Sequence, residues 1–187
     1  MKELFKSTKQ YDIEKITWEW MHLKPVLAEH VWHVSKGDHG RQTMLQYSAD
    51  CSNICTDGCG SFRGTERLES DYNIFNSFYE STIFETIIKD LNAVRSRFMV
   101  LSEHRTYSIH QDKLPRYHLA LETNPHAYFL FPSSPDFIED WPITHSRTAN
   151  LYHVPTDGHV YWVDTRVPHT FINAGPDRTH LVMVDNG

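Results

Sequence analysis

The sequence predicts a mainly β fold, a barrel or sandwich of short strands, with helical segments packed against it. Apolar residues recur at helical spacing from 72 to 98 and then alternate with polar ones. Eight short predicted strands follow in close succession. Turn signals separate them, of which Asp157-Gly158 is the clearest. Together these observations favour an all-β barrel or sandwich over a parallel sheet.

The length, composition and charge of the chain limit the classes of protein to which it can belong. A chain of 187 residues that is 40% hydrophobic is expected to form a single domain, 1–187, with a filled core. The net charge of −6, without a long Lys/Arg run, argues against nucleic acid as the main partner. No apolar run approaches the ~18 residues of a membrane span, and the first residues lack the apolar core of a secretory signal. We therefore expect a cytoplasmic protein that does not bind membranes.

The first part of the chain, 1–97, is expected to form a helical region on the substrate side of the molecule. Its predicted segments are an irregular stretch to 12, a short strand or turn to 22, a short helix or strand after Pro25, a turn at 36–41, a strand at 43–47, a glycine-rich loop at 50–64 and a helical region at 72–98. Within the last of these, Ser81-Thr82 divides the pattern, and the second helix is predicted from about 81 to 96.

Three cysteines, Cys51, Cys55 and Cys59, lie in the predicted loop. An odd number does not form a simple disulfide framework. The spacing also differs from the usual zinc pairs and iron–sulfur motifs. We interpret these residues as structural thiols, with a metal or redox role as the alternative.

The second part, 98–187, is expected to form the β core. Its strands are predicted at about 98–102, 106–110, 117–122, 127–131, 151–154, 160–164, 170–173 and 179–184. A turn at 174–177 is expected to join the last two strands as an antiparallel hairpin.

The most informative pattern is His110-Gln111-Asp112, the only H-x-D triplet among thirteen histidines. Side chains at i and i+2 of a strand lie on the same face, so one strand offers an imidazole and a carboxylate together. A mononuclear non-haem Fe(II) site needs two histidines and one carboxylate on one side of the ion. For the triplet alone, a strand-end histidine beside a turn aspartate remains the alternative interpretation.

A third ligand must come from elsewhere in the chain. The candidates are His145, His153, His159, His169 and His180. We favour His169 because Arg178 lies across the predicted hairpin, where its guanidinium can bind a carboxylate through two hydrogen bonds. Arg116 and His118 also face inward if Tyr117 and its i+2 neighbours face the apolar layer. A solvated hairpin charge is the alternative for Arg178.

These residues resemble the aspartyl/asparaginyl β-hydroxylase family of Fe(II)- and 2-oxoglutarate-dependent oxygenases. The resemblance extends over about 98–185. It depends on the H-x-D triplet, on R-x-H-L at 116–119, and on His169 followed by Arg178. It implies a double-stranded β-helix (jelly-roll, cupin-like) with the metal at one mouth of the barrel and the helices packed on the outer sheet.

The resemblance also implies residue roles. The iron ligands would be His110, Asp112 and His169. Arg178 would bind the C5 carboxylate of 2-oxoglutarate, and Arg116 and His118 would help to hold that co-substrate. Ser108 and Asn173 are inward polar neighbours that would orient the ligands.

The function implied is hydroxylation of a small-molecule or peptidyl amino acid, with Fe(II), 2-oxoglutarate and O2 required and succinate and CO2 released. Substrate specificity is expected to lie in the N-terminal part, which matches no motif. Two alternatives stay open: a cupin-like metalloenzyme that does not use 2-oxoglutarate, and a non-catalytic β-barrel that serves as a binding module. The sequence does not predict the oligomeric state.

Overall fold

The computed structural model describes residues 2–29, 32–34, 40–62, 65–133 and 148–187. Most of the turn predicted at 36–41, the end of the loop at 50–64 and the ligand candidate His145 lie outside these ranges. Within them, no helix is long and apolar enough to cross a membrane.

Within the described ranges, both α-helices lie in the first half of the chain, and most of the strands follow the second helix. The helices are α1 (Ile13–Ala28) and α2 (Ile83–Asp90), and single 3-10 turns lie at Glu69–Asp71 and Ser77–Tyr79. The strands are β1 (Leu4–Gln10), β2 (His33–Val34), β3 (Gly40–Met44), β4 (Gln46–Tyr47), β5 (Ile74–Phe75), β6 (Val94–Leu101), β7 (Arg105–Thr106), β8 (Arg116–Glu122), β9 (Ala127–Pro132), β10 (Ala149–Tyr152), β11 (His159–Val163), β12 (Thr170–Asn173) and β13 (Arg178–Val184).

Two antiparallel sheets form the β core. The main sheet has seven strands in the order β1-β11-β8-β13-β6-β3-β2, and the minor sheet has four in the order β10-β9-β12-β7. From β6 onward the chain passes repeatedly between them: β6, β8, β11 and β13 belong to the main sheet, and β7, β9, β10 and β12 to the minor one. Strand neighbours in the sequence are therefore often neighbours across the barrel rather than within a sheet.

The main sheet has an apolar outer face, and its inner face carries polar side chains beside an apolar cluster that includes Leu101, Ala120 and Val163. Leu119 on β8 and Leu181 and Met183 on β13 pack with α1 and α2 in one buried cluster. The alternate residues on the same strands, among them His118 and Arg178, line a cavity inside the barrel. This two-residue alternation is what the sequence predicted for β8, with Arg116 and His118 directed inward.

Helix α1 was not predicted as one element. Its N-cap is Asp12, whose Oδ1 accepts hydrogen bonds from the amides of Glu14 and Lys15 at 3.0 and 3.1 Å. Ile16, Trp20 and Leu27 lie on one face of the helix and are buried against the sheet. Pro25 lies near the C-terminal end, where it removes a single intrahelical hydrogen bond and does not end the helix. Predicting a boundary at Pro25 was therefore wrong.

Helix α2 is shorter than the predicted 81–96. Thr82 caps its first turn, and Asn92 adopts a left-handed φ of 47° just beyond its end. The next residues form β6, which pairs with β13 on one side and β3 on the other. Pairing with two distant strands therefore overrode the local helical pattern. The predicted irregular N-terminus was also wrong, because β1 pairs with β11.

The predicted hairpins at Asp157-Gly158 and at 174–177 were both wrong. Strand β10 pairs with β9 in the minor sheet, whereas β11 pairs with β1 and β8 in the main sheet. Likewise β12 pairs with β7 and β9, and β13 with β6 and β8. Each turn carries the chain from one sheet to the other. His169 and Arg178 consequently line the same cavity without being joined by a hairpin.

Candidate metal centre

Two of the predicted ligands are joined through their backbones. His110 and His169 form an isolated antiparallel bridge, in which each amide donates to the carbonyl of the other at 2.9 and 2.8 Å. The two imidazole rings lie side by side, with centroids 4.4 Å apart. The predicted strand 106–110 is broken: β7 ends at Thr106, and pairing resumes only at His110.

Asp112 completes a group of three potential ligands. Its amide donates to the carbonyl of Thr165 at 2.7 Å, which holds the segment after His110 against the loop before His169. One ligand atom from each of His110, Asp112 and His169 lies within 4.8 Å of the others. His169 is buried, and the other two are half-buried. The structure therefore brings the three predicted residues to one point.

Both imidazoles are held in the same way. Nδ1 of His110 lies 2.7 Å from the carbonyl of Ser108, and Nδ1 of His169 lies 3.0 Å from that of Val167. A carbonyl only accepts, so Nδ1 carries the proton in each ring and Nε2 keeps its lone pair. The expected polar neighbour Ser108 thus acts through its backbone. The side chain of Asn173 instead holds the turn after β12, donating to Leu101, Ser102 and Pro176.

The protonation states suit metal binding. Burial, followed by the neighbouring charge of His110, lowers the pKa of His169 to about 4, so its imidazole is neutral at pH 7. Burial acts to raise the pKa of Asp112. The positive charge of Arg116 and its cationic neighbours outweighs burial and places the pKa below its usual value. At neutral pH the site therefore offers a neutral imidazole at His169 and a carboxylate at Asp112, next to the imidazole of His110.

Arg116 connects the acidic ligand to a buried ion network. Its Nη2 lies 3.4 Å from Oδ2 of Asp112 and 2.7 Å from Oε1 of Glu69, and its Nη1 donates to Oε2 of Glu69 at 3.1 Å. Glu69 also pairs with the buried Arg95. Glu69 lies in a 3-10 turn between two loop segments, and no periodic pattern in the sequence marks it as buried.

Arg178 is the largest of the fully buried side chains of the described chain. Its guanidinium lies 3.8 Å from the centroid of the Phe171 ring. Among the described residues, its Nε and Nη1 have no hydrogen-bond partner, and neither does the buried hydroxyl of Tyr107. Burial lowers the pKa of Arg178 to about 10, so it stays charged at neutral pH. An unpaired buried charge is costly and indicates a place for an anion.

A single cavity of about 430 Å³ connects these groups. Its lining includes the three potential ligands, Arg116, His118, Arg178 and Tyr107, together with Arg97 on β6. Sequence reasoning missed Tyr107, although it lies in the same stretch as His110. It missed Arg97 because that position was predicted to border a helix. The alternation of Arg97, Met99 and Leu101 was the available signal for an inward face.

The three other candidate histidines that the structure describes lie apart from this group. Nδ1 of His153 bonds to the carbonyl of Ala127 at 2.9 Å, and Nδ1 of His159 lies 3.3 Å from Asp157. His180 is buried inside the barrel, with its Nδ1 3.4 Å from that of His118. Burial, followed by the charge of Arg178, lowers the pKa of both His118 and His180 well below 6.5.

Sequence comparisons return nothing: no family model and no curated protein sequence matches the chain. Solved structures do match. A Pseudomonas putida prolyl-4-hydroxylase aligns with a TM-score of 0.52 and 11% identity over 99% of this chain and 94% of its own. SnoN, a non-heme alpha-ketoglutarate-dependent epimerase from nogalamycin biosynthesis, aligns with a TM-score of 0.55 and 11% identity. The alignment covers 98% of this chain and 78% of SnoN.

At this level of identity the likeness is one of fold. The chain has the mainly β, double-stranded β-helix architecture of these two proteins, with its helices packed on the outer face of the main sheet. The predicted fold class is thereby confirmed.

Proposed function

We propose that this protein is an Fe(II)- and 2-oxoglutarate-dependent dioxygenase that hydroxylates an amino acid or an amino-acid side chain and releases succinate and CO2. One observation carries the proposal: the buried Arg178, whose Nε and Nη1 have no partner in the described part of the chain, shares one cavity with the group His110, Asp112 and His169. The prolyl-4-hydroxylase and epimerase neighbours, both built on this fold, support the same class.

The three residues fit a mononuclear ferrous ion. Two imidazole Nε2 atoms and one carboxylate form the ligand set typical of non-haem Fe(II) oxygenases, and they leave adjacent positions free for other ligands. The backbone bridge between the two histidines and the Nδ1 hydrogen bonds fix both rings before the metal binds. With 2-oxoglutarate and O2, the bound ion would supply the oxidising chemistry.

Arg178 is assigned to the distal, C5 carboxylate of 2-oxoglutarate. Its Nε and Nη1, which have no partner among the described residues, can donate hydrogen bonds to an anion in the cavity. The unpaired hydroxyl of Tyr107 lines the same cavity and can donate a third. Burial in the barrel removes water from the cation, which strengthens its attraction for the anion. His118, also in the lining and neutral, provides a further polar contact.

Arg116 acts chiefly through Asp112 in this proposal. Its Nη atoms are engaged by Glu69 and Asp112, which leaves Nε as its unpaired donor within the described chain. The guanidinium therefore orients the carboxylate and keeps it ionised. The R-x-H-L motif that contains Arg116 and His118 supports the aspartyl/asparaginyl β-hydroxylase type among the possible oxygenases.

The deciding experiment is an anaerobic titration of the metal-free protein with Fe(II) and 2-oxoglutarate. We expect a weak visible charge-transfer band that needs both components and is absent in His110→Ala. In Arg178→Ala the band should require 2-oxoglutarate concentrations higher by roughly 10- to 100-fold, the cost of one charged hydrogen-bonded contact. Iron binding without any band would favour a metalloenzyme that does not use 2-oxoglutarate. Failure to bind iron would favour a binding module.

A further inference from the structure

The cavity contains a second buried guanidinium that the proposed chemistry does not use. Arg97 is 6% exposed, and its Nη1 has no hydrogen-bond partner within the described ranges. Its Nε donates to the thioether of Met99 at 3.2 Å, a weak acceptor. The buried carboxylate of Glu69 bonds to Arg95 and Arg116 instead. Among the residues that the structure describes, Arg97 is thus a buried cation without a hydrogen-bonded anion.

The charge of the whole cavity leads to the same conclusion. Among the described residues that line it, five are cationic, namely Arg95, Arg97, Lys113, Arg116 and Arg178. Two carboxylates of the same lining, Glu69 and Asp112, oppose them. A ferrous ion and a 2-oxoglutarate dianion cancel each other, so binding both leaves the positive excess unchanged. The cavity therefore favours a further anion.

Arg97 and Arg178 lie at different levels of the sheet, so we assign them to different carboxylates. In the β6–β13 ladder Arg178 pairs with Leu101, and Arg97 pairs with Val182. Both arginines lie on the inner face, because they line the cavity. Four residues separate the two pairs, which is roughly 13 Å along the strands. Arg97 lies level with His118, which also pairs with Val182.

We propose that Arg97 binds a carboxylate of the molecule to be hydroxylated, so that the acceptor is an anionic amino acid or a related acid. The proposal rests on the proposed function, since it assigns the acceptor position of that same cavity. Arg97 is then a specificity-determining residue, and Arg178 remains the anchor of the co-substrate. An acceptor whose carboxylate is replaced by a carboxamide leaves Arg97 unpaired and binds poorly.

The probes are the twenty protein L-amino acids and their matched carboxamides, added anaerobically to protein loaded with Fe(II) and 2-oxoglutarate. We expect at least one acid to raise the melting temperature and, in air, to accelerate succinate formation, whereas its amide does neither. Arg97→Gln should weaken the binding of that acid by roughly 10- to 100-fold. Arg97→Lys, which keeps the charge, should restore part of the loss.

The variant also has to keep the co-substrate site and the fold. In Arg97→Gln the 2-oxoglutarate concentration for half of the charge-transfer band should change less than threefold, and the metal-free melting temperature should not fall. Arg105→Gln, at an exposed arginine on β7, is the charge-matched control and should behave as the unmodified protein.

Each of the following results overturns this inference: amides that bind as well as the acids, an Arg97→Gln variant with unchanged affinity for the acid, or no acid that binds. Loss of 2-oxoglutarate binding in Arg97→Gln also overturns it and moves Arg97 to the co-substrate. Failure of the proposed function is distinct, because then the Fe(II) and 2-oxoglutarate band is missing in the unmodified protein.

Discussion

Glu69 holds two arginines of the cavity wall in place. Its carboxylate accepts from both Nη atoms of Arg116 and from Nη1 of Arg95, and all three side chains are almost fully buried. Arg95 also donates to the carbonyls of Gly58 and Gly60 at 2.9 and 2.6 Å. One carboxylate thereby links the loop before β5 to β6 and β8. It also fixes the guanidinium that contacts Asp112.

We expect Glu69→Gln to lower the free energy of unfolding by about 3–5 kcal/mol, because the change removes the counter-charge of the buried Arg95 and leaves the buried Arg116 with Asp112 alone. Urea denaturation of the metal-free protein measures this. Glu85→Gln is the control: it removes the same charge from an exposed i,i+4 pair with Lys89 at 2.6 Å, and the expected change is small. Equal losses in the two variants would contradict the buried network.

The buried histidines predict acid sensitivity of the metal-free protein. Burial lowers the pKa of His118, His169 and His180 in the folded state, whereas each is near 6.5 when unfolded. Below pH 6.5 the unfolded chain therefore binds protons that the folded chain does not. The free energy of unfolding consequently decreases as the pH is lowered. Each of the three histidines should lower the free energy of unfolding by about 1.4 kcal/mol between pH 7.5 and pH 5.5.

Urea midpoints at the two pH values test this expectation. His180→Gln removes one of the three groups and should flatten the pH dependence by about a third. An unchanged slope in that variant would show that His180 does not remain neutral in the fold.

At the scale of elements, the strands with clear alternation were predicted closely. Strands β8, β9, β11, β12 and β13 begin and end within a residue or two of the predicted bounds. Their pattern is local, because each is a short run of β-forming residues whose successive side chains lie on opposite faces of its sheet. Helix α1, β1 and the start of β6 were missed. Their conformation depends on partners far away in the sequence, which no local window contains.

The candidate site divides in the same way. His110 and Asp112 share one short segment, and their joint pattern with His169 and Arg178 was visible in the sequence. Their convergence is geometric fact, while their roles remain predictions. The hairpin argument that selected His169 was wrong, although the residue lies in the group. Glu69 and Arg97 were not predicted as site residues, because their burial and their hydrogen-bond partners distinguish them from other charged residues and their spacing in the sequence does not.

The N-terminus of α1 gives an element-scale prediction. Asp12 accepts from two amides of the first turn, so Asp12→Ala should cost about 1 kcal/mol of stability. Asp12→Asn keeps an acceptor and should lose much less. Chemical denaturation with far-UV circular dichroism measures both. Equal losses would indicate a role for the charge and not for the cap.

At the scale of the whole molecule, the metal would link segments that are about 60 residues apart in the chain. A ligand that binds only the folded state stabilises it by about 2.7 kcal/mol at one hundred times its dissociation constant. We expect anaerobic Fe(II) with 2-oxoglutarate to raise the melting temperature, and Asp112→Ala to abolish most of that rise. His126→Ala removes an exposed histidine and should keep the full shift. An unchanged shift in Asp112→Ala would remove that residue from the ligand set.

The pairing of β1 with β11 has a consequence for how the protein is made. The two strands meet through Leu4 and Val163, so β1 leaves the ribosome long before its partner exists. At typical rates of synthesis that interval is roughly 8–30 s. Through it β1 is an unpaired strand, open to pairing with other nascent chains. Its exposed Lys6 and Lys9 oppose such encounters, so the charge that lies at the sheet edge in the finished molecule protects the chain during its synthesis.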